Sequence, residues 1–201
     1  MRTIVCSCDA SFDADLPDSI DLDQQPQQVE ALLSGSFMTV TCPTCGRKLK
    51  PEFPLRLTWG SRGVKLYVIP ELDRPELAEM DEKGIESIFV VGYPELADRI
   101  AVISADLEPM AIEALKYYLL VKAAEADPNA EASAWFHALN ADTIDFHVHG
   151  LRPGEVAVSK VPRSLYERTL AEFRAHPDSE PFRSIQNGKY ISVQNLFKSE
   201  E

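Results

Sequence analysis

Glycine is scarce in this chain of 201 residues, which holds only nine. None of them has the spacing of a phosphate-cradling loop, which disfavours nucleotide binding. No Gly-x-Ser-x-Gly turn is present to expose a nucleophilic serine. No apolar run reaches the roughly 18 residues of a membrane-spanning helix. The start, Met1-Arg2-Thr3-Ile4-Val5-Cys6, lacks the long apolar stretch of a secretory leader. The expectation is therefore a cytoplasmic protein with no membrane association. Internal repeats and low-complexity linkers are absent as well. Positive charge is also in deficit: the formal net charge is -12. Residues 1–60 hold five Lys/Arg against eight Asp/Glu, and the acidic excess continues through residues 61–201. A balance of this sign repels phosphate backbones, so nucleic acid is not the expected partner. Hydrophobic residues make up 45% and charged residues 26%, which is enough apolar material for a packed core and argues against global disorder.

Cysteine is rare too, but its placement carries information. The four cysteines form two close pairs, Cys6/Cys8 and Cys42/Cys45. In a reducing compartment, paired cysteines point to metal or redox chemistry before structural disulfides. In Cys42-Pro43-Thr44-Cys45-Gly46, proline fixes one turn dihedral and Gly46 permits the left-handed backbone that aims N–H groups at thiolates. Cys6-Ser7-Cys8-Asp9 has one residue fewer between its cysteines and needs a tighter turn. Asp9 takes the place that glycine holds in the other turn, and Asp tolerates positive φ better than most residues. The expected cofactor is one structural Zn2+ per chain on Cys6, Cys8, Cys42 and Cys45. Arg2, Arg47, Lys48 and Lys50 are placed to offset the excess charge of the thiolates. The rival reading is a thiol redox motif at Cys42-x-x-Cys45. Such motifs open a helix, whereas Gly46-Arg47-Lys48-Leu49-Lys50-Pro51 is a turn cut short by proline.

Around this constellation the pattern reads as follows. A short strand at 4–5 leads into the first pair. A helix over 26–33 starts at Pro26 and ends before Gly35, and a strand at 37–40 runs into the second pair. Residues 55–59 and 64–69 alternate with period two about Gly60-Ser61-Arg62-Gly63, a hairpin signal. A short helix over 75–83 closes at Gly84, and a strand follows at 88–91. Helices span 94–103 and 107–126; the second has a broad apolar stripe through Met110, Ile112, Leu115 and Leu119, read as core. Strands at 134–139, 143–148 and 156–159 make a meander, followed by a helix over 162–175 and a weak strand at 190–193. The fold class is α+β. A zinc-ribbon-like knuckle module at 1–52 precedes a mixed helix and antiparallel-sheet body at 53–201.

The two cysteine pairs, the Cys42-Pro43-Thr44-Cys45 motif and the helix ending in Leu33-Ser34-Gly35 resemble the bacterial CpXC family. So does the strand Val64-Lys65-Leu66-Tyr67-Val68-Ile69. The likeness extends over residues 1–125, and its specific part is the cysteine motifs. It implies a cysteine-based metal site and no particular activity. The chain departs from the family's paired Cys-Pro-x-Cys pattern at Cys6-Ser7-Cys8, where the proline is missing and the spacing is shorter.

A second cluster lies in the meander. On a strand, Thr143, Asp145, His147 and His149 share one face and Ile144, Phe146 and Val148 the other. Asp145, His147 and His149, with His137 from the preceding strand, are candidate metal or acid/base residues. The plainer reading is a solvated polar face. His176 sits beside Pro177 at a helix end, suited to terminal carbonyls. Aspartates 9, 13, 15, 18, 21 and 23 lack the glycine and closing glutamate of a calcium loop and read as a solvated acidic loop. Trp59 and Trp135 read as anchors in strands. The function expected is a non-enzymatic, zinc-stabilised module that binds another protein or serves as an accessory subunit. The rivals are an enzyme using Asp145, His147 and His149, a thiol redox protein, and a nucleic-acid binder using Arg47, Lys48 and Lys50.

Overall fold

The computed structural model describes residues 1–82 and 85–197. With 37% of the residues helical and 28% in strands, the chain is a mixed helix-and-sheet protein. It divides into two compact units, Met1–Ile100 and Ala101–Glu201. The boundary expected between residues 52 and 53 lies inside the first of these.

In the first unit, strands β1 (Arg2–Val5) and β2 (Ser11–Ala14) form an antiparallel hairpin, with Ile4 opposite Phe12. Strand β3 (Ser19–Asp21) follows, then helix α1 (Gln27–Leu33), which starts after Pro26 and buries Leu32. Two of these elements, β2 and β3, occupy the segment read from sequence as an acidic loop. Their pattern is weak because each turns one apolar side chain fully inward, Ala14 and Ile20 respectively.

The strand expected over 37–40 is largely a turn. Met38 has a φ of 51°, and Phe37 is buried and meets the Tyr93 ring edge-on at 5.2 Å. Only Val40–Thr41 (β4) pairs, antiparallel, with Lys48–Leu49 (β5). Beneath the two hairpins lies a small core of Ile4, Ala14 and Leu16, lined by Phe12, Val40, Leu49 and Phe53.

Strands β6 (Leu55–Trp59) and β7 (Val64–Ile69) form the expected hairpin, turned by Gly60–Arg62 and by Gly63 at φ 65°. A 3-10 segment (Glu71–Glu76) and helix α2 (Leu77–Glu82) lead towards β8 (Ile88–Val91) and helix α3 (Gly92–Ser104). The expected end of the 75–83 helix at Gly84 lies outside the described residues. Within this unit the sheet order is β8-β7-β6-β3. It is not wholly antiparallel as expected, since β3 runs parallel to β6 and β8 parallel to β7. The helical segment between β7 and β8 is the crossover that a parallel pair requires. Leu55, Leu57, Leu66, Val68 and Val90 make the centre of the core with Leu96 and Ile100 of α3.

In the second unit, helix α4 (Pro109–Ala126) buries every residue from 110 to 116. Over this first half the helix has no solvated stripe, and Met110, Ile112 and Leu115 are core as the sequence pattern implies, while its second half opens to solvent at Tyr118 and Lys122. Strands β9 (Ser133–Leu139), β10 (Thr143–His149) and β11 (Ala157–Pro162) form the meander in the order β11-β10-β9. Ile144, Phe146 and Val161 pack with Ile112, Leu115 and Tyr166, the last from helix α5 (Arg163–Ala175). His176 closes α5 by donating its backbone N–H to the Glu172 carbonyl at 2.8 Å. A short helix α6 (Phe182–Ile185), the hairpin β12 (Gln186–Asn187) and β13 (Tyr190–Ile191), and a last turn α7 (Gln194–Phe197) complete the described chain.

Candidate metal centre

Both cysteine pairs sit in hairpin turns, the first between β1 and β2 and the second between β4 and β5. The two turns are built alike. The Cys6 N–H donates to the Ala10 carbonyl at 2.9 Å, and the Cys6 carbonyl accepts from the Asp9 N–H at 2.9 Å. In the other turn, the Cys42 N–H donates to the Arg47 carbonyl and the Cys42 carbonyl accepts from the Gly46 N–H, both at 2.9 Å. The residue that closes each turn is left-handed, Asp9 at φ 64° and Gly46 at φ 71°. Asp9 thus fills glycine's place in the shorter turn, as its tolerance of positive φ allows.

The turns bring the four sulfurs together. Their Sγ atoms all lie within 4.8 Å of one another, and the Cys6–Cys45 and Cys8–Cys42 separations are both 3.7 Å. A tetrahedral ion about 2.3 Å from each sulfur sets neighbouring sulfurs about 3.8 Å apart, so these gaps fit one ion. A disulfide would need about 2.05 Å. Cys6 and Cys42 are buried, while Cys8 and Cys45 reach the surface.

Backbone donors complete the set. The N–H groups of Cys45 first and then Thr44 lower the Cys42 thiol to about 6. At Cys8 the Ala10 N–H lowers the thiol, but the neighbouring thiols of Cys45 and Cys6, desolvation and the Cys42 thiol outweigh it and raise it to about 11. A bound divalent cation would supply the positive charge that favours the thiolate form. The four cysteines can therefore hold a metal ion, and the donor set is the one that tetrahedral thiophilic ions take.

The basic residues near the site contact protein groups rather than sulfur. Arg47 donates to the Ser7 hydroxyl, tying one cysteine turn to the other, and Lys50 donates to the Gly35 carbonyl. The Arg2 guanidinium lies 4.4 Å over the Phe53 ring. Three of the four residues offered as a nucleic-acid patch or charge offset are thus engaged by the fold. Ser7 is the one member of this arrangement that the sequence reading passed over; its place between two cysteines is the signal that could have found it.

In the second unit, the strand face that bears Asp145, His147 and His149 is open at His149 but buried at Asp145. Asp145 is only 8% exposed and accepts a 2.9 Å hydrogen bond from the Thr143 hydroxyl. The His137 and His147 rings are stacked with centroids 3.8 Å apart, and His147 and His149 lie 6.5 Å apart. Burial first, then the neighbouring His137 and His149, lower His147 below its ordinary 6.5. Among the described residues, the four cysteines are the group whose ligand atoms already converge on one point.

A family model described as CpXC protein matches residues 4–116, more than half of the chain. The chain belongs to the CpXC family. The match takes in both cysteine turns, the first unit from residue 4 onward and the first turns of α4, and stops short of the histidine-bearing strands. This CpXC chain is also similar to a protein of Treponema pallidum (strain Nichols), described as "Uncharacterized protein". The two are 29% identical over 98% of this chain and 99% of the relative. No solved structure matches the CpXC chain. No helix among its described residues is long and apolar enough to cross a membrane.

Proposed function

We propose that Cys6, Cys8, Cys42 and Cys45 hold one structural zinc ion, and that the protein is a non-enzymatic module that binds another protein or serves as an accessory subunit. The observation that carries the first part is the pair of 3.7 Å sulfur gaps between two facing hairpin turns. Zinc is the ion for which four thiolates in a tetrahedron form a closed structural site. With all four positions taken by sulfur, the ion has no place for water or substrate. Its contribution is to fold the chain rather than to act as a Lewis acid. In this reading residues 1–52 are a zinc-ribbon-like module, with the β1–β2 and β4–β5 hairpins as its two knuckles.

The absence of an assembled catalytic set in the sequence supports a binding role over an enzymatic one. The net charge of -12 favours a protein partner over nucleic acid. Four uncrosslinked cysteines suit a reducing cytoplasm.

The test is metal analysis with thiol titration on protein purified without oxygen. The reading expects one zinc per chain and four thiols shielded until a chelator is added. Metal-free protein with a reversible disulfide at Cys42 and Cys45 overturns it and puts a redox function in its place. The partner half is tested on native extract. If no stoichiometric partner is retained with the zinc-loaded chain, the accessory role is lost while the zinc site stands.

A further inference from the structure

The three-stranded sheet of the second unit carries three histidines that the cysteine centre does not use. His147 and His149 lie two residues apart on β10, so the pleat projects both side chains to the same side. The third arrives by an irregularity. In the β9–β10 ladder Phe146 pairs with Phe136 and Asp145 with Ala138, which leaves His137 as an extra, unpaired residue on β9. A bulge of this kind bends the strand and re-aims a side chain. Here it sets the His137 ring flat on that of His147, with 3.8 Å between centroids and 19° between planes. The His149 ring stands 6.5 Å from His147 at 76°.

The phenylalanines beside them, Phe136 and Phe146, meet edge-to-face at 6.4 Å and belong to the core. The bulge therefore divides the strand into an aromatic inner side and an imidazole outer side. No hydrogen bond to another described residue occupies the three rings. His137 and His149 are exposed and His147 is half-buried. Asp145 accepts a hydrogen bond from the Thr143 hydroxyl.

We propose that His137, His147 and His149 form a second metal site, open and exchangeable, for a borderline divalent cation such as Ni2+, Zn2+ or Co2+. Imidazole nitrogen is the donor these ions share. The half-buried His147 is the fixed centre. The two exposed rings close on the ion by turning about their side-chain bonds, a change of rotamer that surface positions allow. Three nitrogens leave at least one coordination position for water or for a group on a partner. The two centres then differ in kind: a closed sulfur site that folds the chain and an open nitrogen site that takes up and releases its ion.

The experiment uses the full, untagged chain with its cysteine site already loaded with zinc, titrated with Ni2+ by calorimetry. Nuclear magnetic resonance then follows the histidine ring protons. One Ni2+ per chain is expected, with early paramagnetic broadening confined to the rings of His137, His147 and His149 and sparing His176. His137→Asn and His149→Asn should each weaken binding by about tenfold or more, with zinc content unchanged. The ring signals of the unmodified protein keep the test decisive if a variant fails to fold. The proposal is overturned if no Ni2+ binds, if broadening centres on another part of the chain, or if both single variants bind as the parent does. Because this readout does not pass through the thiols, it can succeed or fail independently of the zinc assignment.

Discussion

Removing the metal from the cysteine centre should unfold the two knuckles and leave the neighbouring sheet standing. The reasoning starts from how little else holds the knuckles. The β4–β5 ladder has two residue pairs and the β1–β2 ladder four. The core beneath them has Ile4 and Leu16 as its only large, fully buried side chains among the described residues. Burying such a side chain contributes about 2 kcal/mol, while ordering each backbone residue costs about 1–2 kcal/mol. The twenty-three residues of the two hairpins, 2–14 and 40–49, therefore cannot rest on that core alone. A structural zinc ion adds on the order of 10 kcal/mol, more than those two buried side chains contribute together. The sheet beside it stands on a different footing: Leu55, Leu57, Leu66, Val68, Val90, Leu96 and Ile100 are all essentially inaccessible to solvent.

Hydrogen exchange read by mass spectrometry, with and without chelator, separates the two. Each 1.4 kcal/mol changes an opening constant tenfold, so a loss of this size takes the knuckle amides to unprotected rates. Peptides covering the hydrogen bonds from Cys6 N–H to Ala10 and from Gly46 N–H to Cys42 should lose protection. Peptides from β6 and β7 should keep it. If β6 and β7 open together with the knuckles, the two form one cooperative block and the argument from core size is wrong. Unchanged protection everywhere would mean that no metal holds the turns.

Two further perturbations test other parts of the chain. Lys116→Met removes the cation of a buried pair, in which Lys116 Nζ lies 2.7 Å from Glu113 Oε1 with both side chains 5% exposed or less; denaturant unfolding should show a loss of about 3–5 kcal/mol. Asp23 is held below its ordinary 3.8 by the Ser61 hydroxyl first and the Ser61 N–H second. Its contribution is therefore complete above about pH 3.8 and fades as the pH falls through its folded value, because the unfolded carboxyl takes up the proton first; Asp23→Asn should flatten stability against pH in that acid range and nowhere else.

The cysteine turns were legible because their chemistry is local. Pro43, Gly46 and Asp9 each state a backbone preference that holds whatever surrounds them, and the hairpin about Gly60–Arg62 is written the same way. Strands β2 and β3 were hidden because their pairing is decided elsewhere: β3 has three residues and finds its parallel partner in β6, more than thirty positions away. Phe37 and Met38 look like a strand by composition, yet Phe37 serves as a plug against Tyr93 and the backbone turns at Met38 to deliver it. The division at Ile100 and Ala101 falls inside α3, where no proline, glycine or polar break marks it. The histidines were visible as a period of two, but the bulge that brings His137 beside them is a property of the ladder, and periodicity carries no trace of it.

The buried carboxylate of Glu113 has a consequence for the order in which the chain is made. Its Oε2 accepts the backbone N–H of Val193 at 2.9 Å, a bond that spans eighty positions of sequence. Val193 also packs with Leu120, Ala134 and Val148. A growing chain that has produced α4 and the meander has Lys116 beside that carboxylate but lacks the Val193 N–H and its apolar cover until residue 193 has been made. Chains cut short before Val193 therefore leave the defect at the centre of the second unit, beneath Leu120, Ala134 and Val148.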